Sequence, residues 1–123
     1  MTPIIQSTTN QNEIKTLESL IDGATEVHLA VENRDIEAIY TFEASRLLEK
    51  DRDGETPLHY AAINNDLEIC KILINRNPYI IHITDVENKT AYDWMCEYIQ
   101  DENIQDDDTY ERLEIYDFLK KFN

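Results

Sequence analysis

The sequence predicts an all-α solenoid of about three helix-turn-helix repeats, with a capping helix at each end. The first observation is internal repetition: residues 22–30 align with residues 53–61 at an offset of 31, with Asp, Gly, Thr, His and Ala in register. The second is a further offset of 34, which places Asp51 on Asp85. Because one such short unit cannot bury its apolar face alone, several copies are expected to stack into one core.

The N-terminal segment divides into two parts. Residues 1–12 are polar and are expected to be flexible. Residues 13–21 carry Leu17 and Ile21 at helical spacing and end before an Asp-Gly pair, which predicts a capping helix on the first repeat. Residues 13–123 are therefore expected to form a single domain.

The middle repeat has the clearest helix signals. Thr56 is a favourable N-cap, and Pro57 suits the first helical position, where its missing N–H costs no hydrogen bond. Ala61 and Ala62 then give this helix a small-residue face that a neighbouring helix can approach closely. The apolar residues of the second helix follow at spacings of three and four: Leu67, Cys70, Leu73 and Ile74.

Asparagine stands where the chain must turn sharply, at Asn33, Asn65 and Asn88. After glycine, asparagine is the residue that best tolerates left-handed backbone, so these three positions are expected to adopt it.

A last helix is predicted at the C-terminus, as a cap on the repeats. Residues 106–109 supply an N-cap and negative charge, while Lys120 and Lys121 suit the negative end of the helix dipole. The apolar side of this helix is expected to consist of Leu113, Tyr116, Leu119 and Phe122.

Composition excludes several classes of protein. The chain has 123 residues, 26 acidic and 11 basic, with a net charge of −15, which disfavours binding to nucleic acid or to anionic membranes. Its two glycines cannot form a dinucleotide or phosphate loop. No apolar run approaches the roughly 20 residues of a membrane span, and the start MTPIIQSTTN does not read as a secretory signal. With only two cysteines, a reducing, cytoplasmic location is expected.

Residues 53–62 read DGETPLHYAA, and this stretch resembles the ankyrin repeat, whose signature contains T-P-L-H-x-A-A after an Asp/Gly turn. Residues 67–74 resemble the second helix of that family. The first and last copies are degenerate and read TEVH and TAYD at the helix start. The resemblance covers about residues 13–122 and implies a non-catalytic, protein-binding fold.

Three histidines and two cysteines are the candidate metal ligands or catalytic groups. The resemblance implies that His28 and His59 hydrogen-bond to the threonine that starts the helix, or to nearby backbone. His82 has no His or Cys at zinc-finger spacing, and Cys70 and Cys96 are expected to be buried thiols. We therefore predict no metal site, no cofactor and no catalytic cysteine.

The acidic stretch at residues 101–108 could be compared with a calcium loop. Counted from Asp101, however, the glycine of that loop would be Asp106 and the closing glutamate would be Arg112, so only weak calcium binding remains as an alternative to a solvated loop. The remaining acids fall in turns and on polar helix faces, outside the enclosed sites that acid–base catalysis needs. The chain is therefore predicted not to be an enzyme.

The resemblance implies that turn tips and exposed positions of the first helices form a concave partner-binding surface. In the middle repeat these residues are Arg52, Asp53, Glu55, Ile63 and Asn64. In the last repeat they are Val86, Glu87, Lys89, Glu97 and Tyr98, and in the first they are Ala24, Glu32 and Asn33. Ile63 and Tyr98 are expected to be exposed apolar anchors, with a merely solvated face as the alternative.

Charge indicates the kind of partner. Residues 85–117 contain 12 acids opposed by Lys89 and Arg112, and they contribute −10 of the net charge of −15. This concentration favours a basic protein partner through electrostatic steering. Small acidic ankyrin proteins resemble immunity proteins that neutralise toxins, so the predicted function is inhibition, as a monomer, of a basic protein such as a nuclease toxin. The alternative is an adaptor or effector that recruits a cellular or host protein without inhibiting it.

Overall fold

The computed structural model describes residues 23–100 and 107–122. These residues form six α-helices and two 3₁₀ helices, and they contain no β-strand. The α-helices are α1 (Glu26–Glu32), α2 (Ile36–Thr41), α3 (Pro57–Ile63), α4 (Leu67–Arg76), α5 (Ala91–Ile99) and α6 (Asp107–Lys120). The 3₁₀ helices are Ala44–Leu48 and Pro78–His82.

The helices pack as three successive pairs, α1 with α2, α3 with α4, and α5 with α6. The inner helices α1, α3 and α5 contact one another in order, and α4 contacts α6 in the outer layer. This is the three-repeat helical solenoid that the sequence predicts. Helix α6, predicted as the C-terminal cap, also serves as the second helix of the third repeat. The predicted flexible residues 1–12 and capping helix 13–21 lie outside the described residues.

One continuous core runs through the three repeats. In the middle repeat, Ala61 and Ala62 are fully buried, as the small-residue face of α3 predicts. The large side chains that fill the core come from all six helices and from both 3₁₀ segments: Val27, Ile39, Leu47, Leu58, Ile69, Leu73, Ile80, Met95, Ile115 and Leu119.

The apolar side predicted for α6 is partly wrong. Ile115 and Leu119 are buried, whereas Leu113 and Phe122 are exposed. Ile115 and Leu119 stand one turn apart in the common core, so the buried stripe is rotated away from Leu113.

Polar residues begin the helices as the sequence indicates. The Thr56 hydroxyl accepts a hydrogen bond from the Leu58 N–H at 3.2 Å, which confirms Thr56 as the N-cap of α3. The outer helices use aspartate instead: Asp35 accepts from the Ala38 N–H and Asp66 from the Ile69 N–H, both at 3.2 Å. An aspartate cap therefore sets the start of both α2 and α4.

Left-handed backbone occurs both in the turns between paired helices and in the turn that precedes α5. Asn65 (φ 61°) and Asn88 (φ 64°) adopt it as predicted, but Asn33 does not. Asn33 is the C-cap of α1 at φ −89°, and the left-handed residue is Arg34 (φ 52°), which is the true counterpart of Asn65 at the offset of 31. The Arg34 guanidinium is held by an ion pair to Asp66, with Nε 2.5 Å from Oδ2.

Candidate partner-binding surface

The turn tip of the middle repeat is built around Asp51. Its Oδ1 accepts hydrogen bonds from the N–H groups of Asp53 (2.9 Å) and Glu55 (2.8 Å). Its Oδ2 accepts from the Tyr60 hydroxyl on α3 at 2.6 Å. One buried carboxylate therefore fixes the turn and ties it to the inner helix behind it.

The turn tip of the last repeat repeats this design at an offset of 34 residues. Oδ1 of Asp85 accepts from the N–H groups of Glu87 (2.9 Å) and Lys89 (3.0 Å). Oδ2 accepts from the indole N–H of Trp94 at 2.7 Å. Trp94 thus takes the place of Tyr60, and both tips present their side chains from fixed backbone.

The two tips stack on each other. The Val86 N–H donates to the Asp53 carbonyl at 2.9 Å. Gly54 lies at this junction with φ 78°, and a Cβ added there would stand 2.9 Å from the Val86 nitrogen. Only glycine fits, because any side chain would collide with neighbouring backbone.

Two buried histidines bridge consecutive repeats. Nδ1 of His59 accepts from the Thr56 N–H at 3.0 Å, so its Nε2–H donates to the Lys89 carbonyl, also at 3.0 Å. Nε2 of His28 contacts the Glu55 carbonyl at 2.7 Å in the same way. Burial lowers the pKa of both histidines, which keeps them neutral at pH 7. The predicted structural role of these histidines is confirmed.

A shallow cavity of about 190 Å³ lies on the inner surface between the first two repeats. It is lined by Glu32, Glu55, Tyr60, Ile63 and Asn64. Burial, together with the surrounding carboxylates of the two turn tips, raises the pKa of Glu55 to about 7. A nearby cation would favour the charged form of Glu55.

Three of the predicted site residues in the last repeat form one ion-pair cluster. Nζ of Lys89 lies 2.5 Å from the Glu97 carboxylate and 3.6 Å from that of Glu87. The same ammonium group lies 4.3 Å from the centre of the Trp94 ring. The cluster has a net negative charge, and its ammonium group lies against a half-buried aromatic ring.

The predicted apolar anchors are corrected by the structure. Ile63 and Tyr98 are half-buried rather than exposed. Tyr98 lies one helical turn beyond Trp94, with ring centroids 6.3 Å apart, and the Arg112 guanidinium of α6 covers its ring at 4.4 Å. Tyr98 is therefore a packing residue between α5 and α6.

The exposed apolar group is instead Val86, which is 71% exposed at the last tip. Arg52, Asp53, Asn64 and Glu97 are exposed as predicted. Sequence reasoning missed Trp94, although its spacing of 34 from Tyr60 marked it as that residue's counterpart.

The residues proposed from the first repeat contribute little to this surface. Ala24 is buried in the core, Glu32 is half-buried and Asn33 is exposed. Ala24 was expected at a turn tip, but it directly precedes the cap residue of α1 and packs inward. The surface therefore centres on the last two repeats.

The thiols differ in their surroundings. Cys70 is fully buried, and burial strongly raises the pKa of its thiol, so the predicted core role is confirmed. Cys96 is only half-buried, because Ala91 and Met95 take the core-facing positions of α5. His82 is exposed. Within residues 23–100 and 107–122, no group of three His, Cys, Asp or Glu side chains is placed to hold a metal ion.

Comparison with known families agrees with this architecture. A family model described as ankyrin repeats (3 copies) matches residues 1–106, most of the chain. A comparison with curated proteins gives no match. Among the helices that the structure describes, none has the length and apolar character needed to span a bilayer.

Proposed function

The chain belongs to the ankyrin-repeat family of protein–protein interaction modules, and from this premise we propose that it is a non-catalytic inhibitor of a basic protein such as a nuclease toxin. The observation that carries the proposal is the pair of stacked turn tips, which present Asp53, Glu55 and Glu87 on one rigid edge. A basic active site is the complementary surface for such an edge.

Rigidity supports tight binding. The tips are held by Asp51 and Asp85, by the bridging histidines and by backbone contact between repeats. A loop that is already ordered loses little conformational entropy when a partner docks on it.

Apolar groups beside the acids supply contact area. Val86 projects from the last tip, and Tyr60 and Trp94 lie half-buried behind the two tips. Tyrosine and tryptophan are among the residues most enriched in binding hot spots, and a polar rim usually surrounds them.

The test begins with the full-length chain as bait in the cells that produce it, followed by identification of the captured protein. We expect a basic partner, with an isoelectric point above about 9 if it acts on nucleic acid. The purified pair is then compared with a chain carrying Asp53→Asn, Glu55→Gln, Glu87→Gln and Glu97→Gln. This variant is expected to bind at least tenfold more weakly.

A matched control removes four charges elsewhere, with Glu37→Gln, Glu43→Gln, Glu114→Gln and Asp117→Asn, all of which are exposed. It is expected to bind within about threefold of the natural chain, because charges far from the contact are screened. Equal weakening by both variants, or an acidic partner, would contradict the proposal.

Inhibition is separated from recruitment by assaying the activity of the partner. An inhibitor abolishes that activity at stoichiometric concentration, whereas the variant with four neutralised carboxylates at the turn tips does not. If the partner binds tightly and keeps full activity, the chain is an adaptor.

A further inference from the structure

The inner-surface cavity between the first two repeats, which we call the Glu55 cavity, has a lining drawn from both repeats. Glu32 is the last residue of α1, Glu55 lies on the middle turn tip, and Ile63 is the last residue of α3. Tyr60 and Asn64 complete the lining. The volume of about 190 Å³ is below the roughly 300–1,000 Å³ of pockets that bind drug-sized molecules. A cavity of this size suits one side chain of a partner rather than a helix.

Glu55 differs from the acidic residues of the last repeat in its charge partners. The Lys89 ammonium group pairs with both Glu87 and Glu97. Across residues 23–100 and 107–122, no lysine or arginine side chain forms an ion pair with Glu55, although its side chain is half-buried. Because a charge taken out of water is unfavourable until it is paired, a cation from outside the chain would stabilise the charged form of Glu55.

Carboxylates from both turn tips surround Glu55. The titratable groups that face it come from the two tips, from α1 and from α3: Asp51, Asp53, Asp85, Glu87, His28, Glu32 and Tyr60. His28 is neutral and the Tyr60 hydroxyl donates to Asp51, so these two groups do not offset the negative charge. Because burial and the carboxylates raise the pKa of Glu55 to about 7, it carries a proton about half of the time at pH 7. A cation that docks beside Glu55 displaces that proton.

The lining of the Glu55 cavity matches an arginine side chain in particular. Ile63 and the Tyr60 ring are the apolar parts of the lining, against which the methylene stem of a long cationic side chain can pack. Acceptor oxygens stand on three other lining residues, Glu32, Glu55 and Asn64. A guanidinium has five N–H donors in a planar fork and reaches several separate acceptors at once, whereas the ammonium group of lysine has three donors at one point.

We propose that the Glu55 cavity is a docking site for one arginine side chain of the basic partner. The guanidinium pairs with the Glu55 carboxylate, Glu32 adds negative charge from the first repeat, and the stem of the arginine packs on Ile63. The inference rests on the proposed function for the source of the arginine. The preference of the cavity for a guanidinium is a property of this chain and is measured without the partner.

The probes are three capped tripeptides with glycine on each side of the test residue. The test residue is arginine, lysine or citrulline, and citrulline is neutral but has nearly the shape of arginine. Each peptide is titrated into the full chain at pH 8 and about 50 mM salt, and binding is followed by the backbone amide NMR signals of Glu55, Ile63 and Asn64. We expect the arginine peptide to shift these signals and to bind about threefold or more tightly than the lysine peptide. The citrulline peptide is expected to leave them unchanged.

A matched pair of variants locates the site. Glu55→Gln keeps the size of the side chain but removes its charge, and it is expected to weaken binding of the arginine peptide by about fivefold or more. Glu37→Gln makes the same change at an exposed position of α2 outside the cavity lining, and it is expected to change the affinity by less than about twofold. Circular dichroism spectra of both variants are expected to match that of the natural chain.

The pH dependence of peptide binding distinguishes Glu55 from the other carboxylates. The ionised fraction of a group with a pKa of about 7 rises from about a tenth at pH 6 to about nine tenths at pH 8. Affinity for the arginine peptide is therefore expected to rise about tenfold between these pH values, and Glu55→Gln is expected to remove the rise. Equal affinity of the natural chain at both pH values would overturn the proposal, because ordinary carboxylates are already ionised at pH 6.

The peptide results and the capture of a partner fail independently. The proposal for the Glu55 cavity is overturned if the arginine peptide binds no better than the lysine or citrulline peptide, or if Glu37→Gln weakens it as much as Glu55→Gln. Either result leaves the proposed inhibition standing if a basic partner is captured and inhibited. If the arginine peptide binds as expected but the captured partner is acidic, the proposed inhibition fails and the guanidinium preference of the cavity is confirmed.

Discussion

The middle and last repeats share a turn but differ in what that turn is connected to. Asp51 and Asp85 make equivalent bonds to the backbone of their tips, and Tyr60 and Trp94 make equivalent bonds to those aspartates. At the same offset, His59 of the middle repeat is replaced by Asp93.

The replacement of His59 by Asp93 distinguishes hydrogen bonds between repeats from hydrogen bonds within one repeat. The His59 ring accepts a hydrogen bond from the Thr56 N–H at the start of its own helix. It also donates a hydrogen bond to the Lys89 carbonyl of the next repeat. Asp93 is shorter, and its carboxylate accepts from the Thr90 N–H of its own capping box, at 2.9 Å, with no bond to another repeat among the described residues. The middle repeat therefore joins the solenoid together, whereas the last repeat displays charge and an aromatic ring.

The largest contrast is expected between the left-handed residues of the two tips. Gly54→Ala should lower the free energy of unfolding by about 2–4 kcal/mol, because the new Cβ has a positive φ and collides with backbone of the next tip. Asn88→Gly, at the equivalent position, should change it by no more than about 0.5 kcal/mol. Urea unfolding midpoints measure both, and equal losses would refute the stacking of the tips.

A smaller contrast is expected between His59 and Asp93. His59→Ala leaves the Thr56 N–H and the Lys89 carbonyl unpaired and opens a cavity, which should cost about 2–3 kcal/mol. Asp93→Ala removes only a cap and should cost about 1 kcal/mol. If Asp93→Ala lowered the free energy of unfolding more than His59→Ala, the hydrogen bond between repeats would contribute little to stability.

The cost of His59→Ala should also depend on pH. Burial lowers the pKa of His59, so the contribution of the neutral ring is complete above about pH 6.5 and is lost as the pH falls through the lowered value. The difference in stability between the natural chain and His59→Ala should therefore shrink in acid. A difference that grew with acidity would contradict the neutral assignment.

The smallest expected effect is a gain in stability at Glu55. With its pKa raised to about 7, Glu55 binds its proton more tightly in the folded chain, so the folded state loses stability as the pH rises from about 4.5 through 7. Glu55→Gln should raise the unfolding free energy by about 1 kcal/mol at pH 8, allowing for partial solvent screening, and by little at pH 5.

Glu97→Gln in the last repeat is the matched change for Glu55→Gln. It removes the ion pair with Lys89 and should leave stability unchanged or slightly lower at both pH values. If both variants had a higher free energy of unfolding at pH 8, the cause would be a general reduction of negative charge rather than the partial burial of Glu55.

The sequence predicts the helical repeats well because their signals are local. Thr56, Pro57 and the apolar spacing of α4 determine helix starts and buried stripes without reference to distant residues. The rotation of α6 was missed because several of its faces carry large apolar side chains, and only packing against the neighbouring helices selects Ile115 over Leu113.

The binding surface was less predictable because exposure depends on neighbouring repeats. Tyr98 belongs to an expected surface position, but Trp94 and Arg112 cover it. The groove lined by Tyr40, Ile72 and Phe118 was not predicted either, because these residues come from three separate helices and share no motif.

The salt dependence of association tests most directly the claim that the acidic tips of the last two repeats guide a basic partner. The association rate of the captured partner is measured at about 50 and 500 mM salt, between which the Debye length falls from about 14 to 4 Å. We predict association at least several-fold slower at the higher salt, and a similar slowing at low salt when Asp53, Glu55, Glu87 and Glu97 are neutralised together. A partner that associates equally fast at both salt concentrations would contradict the claim.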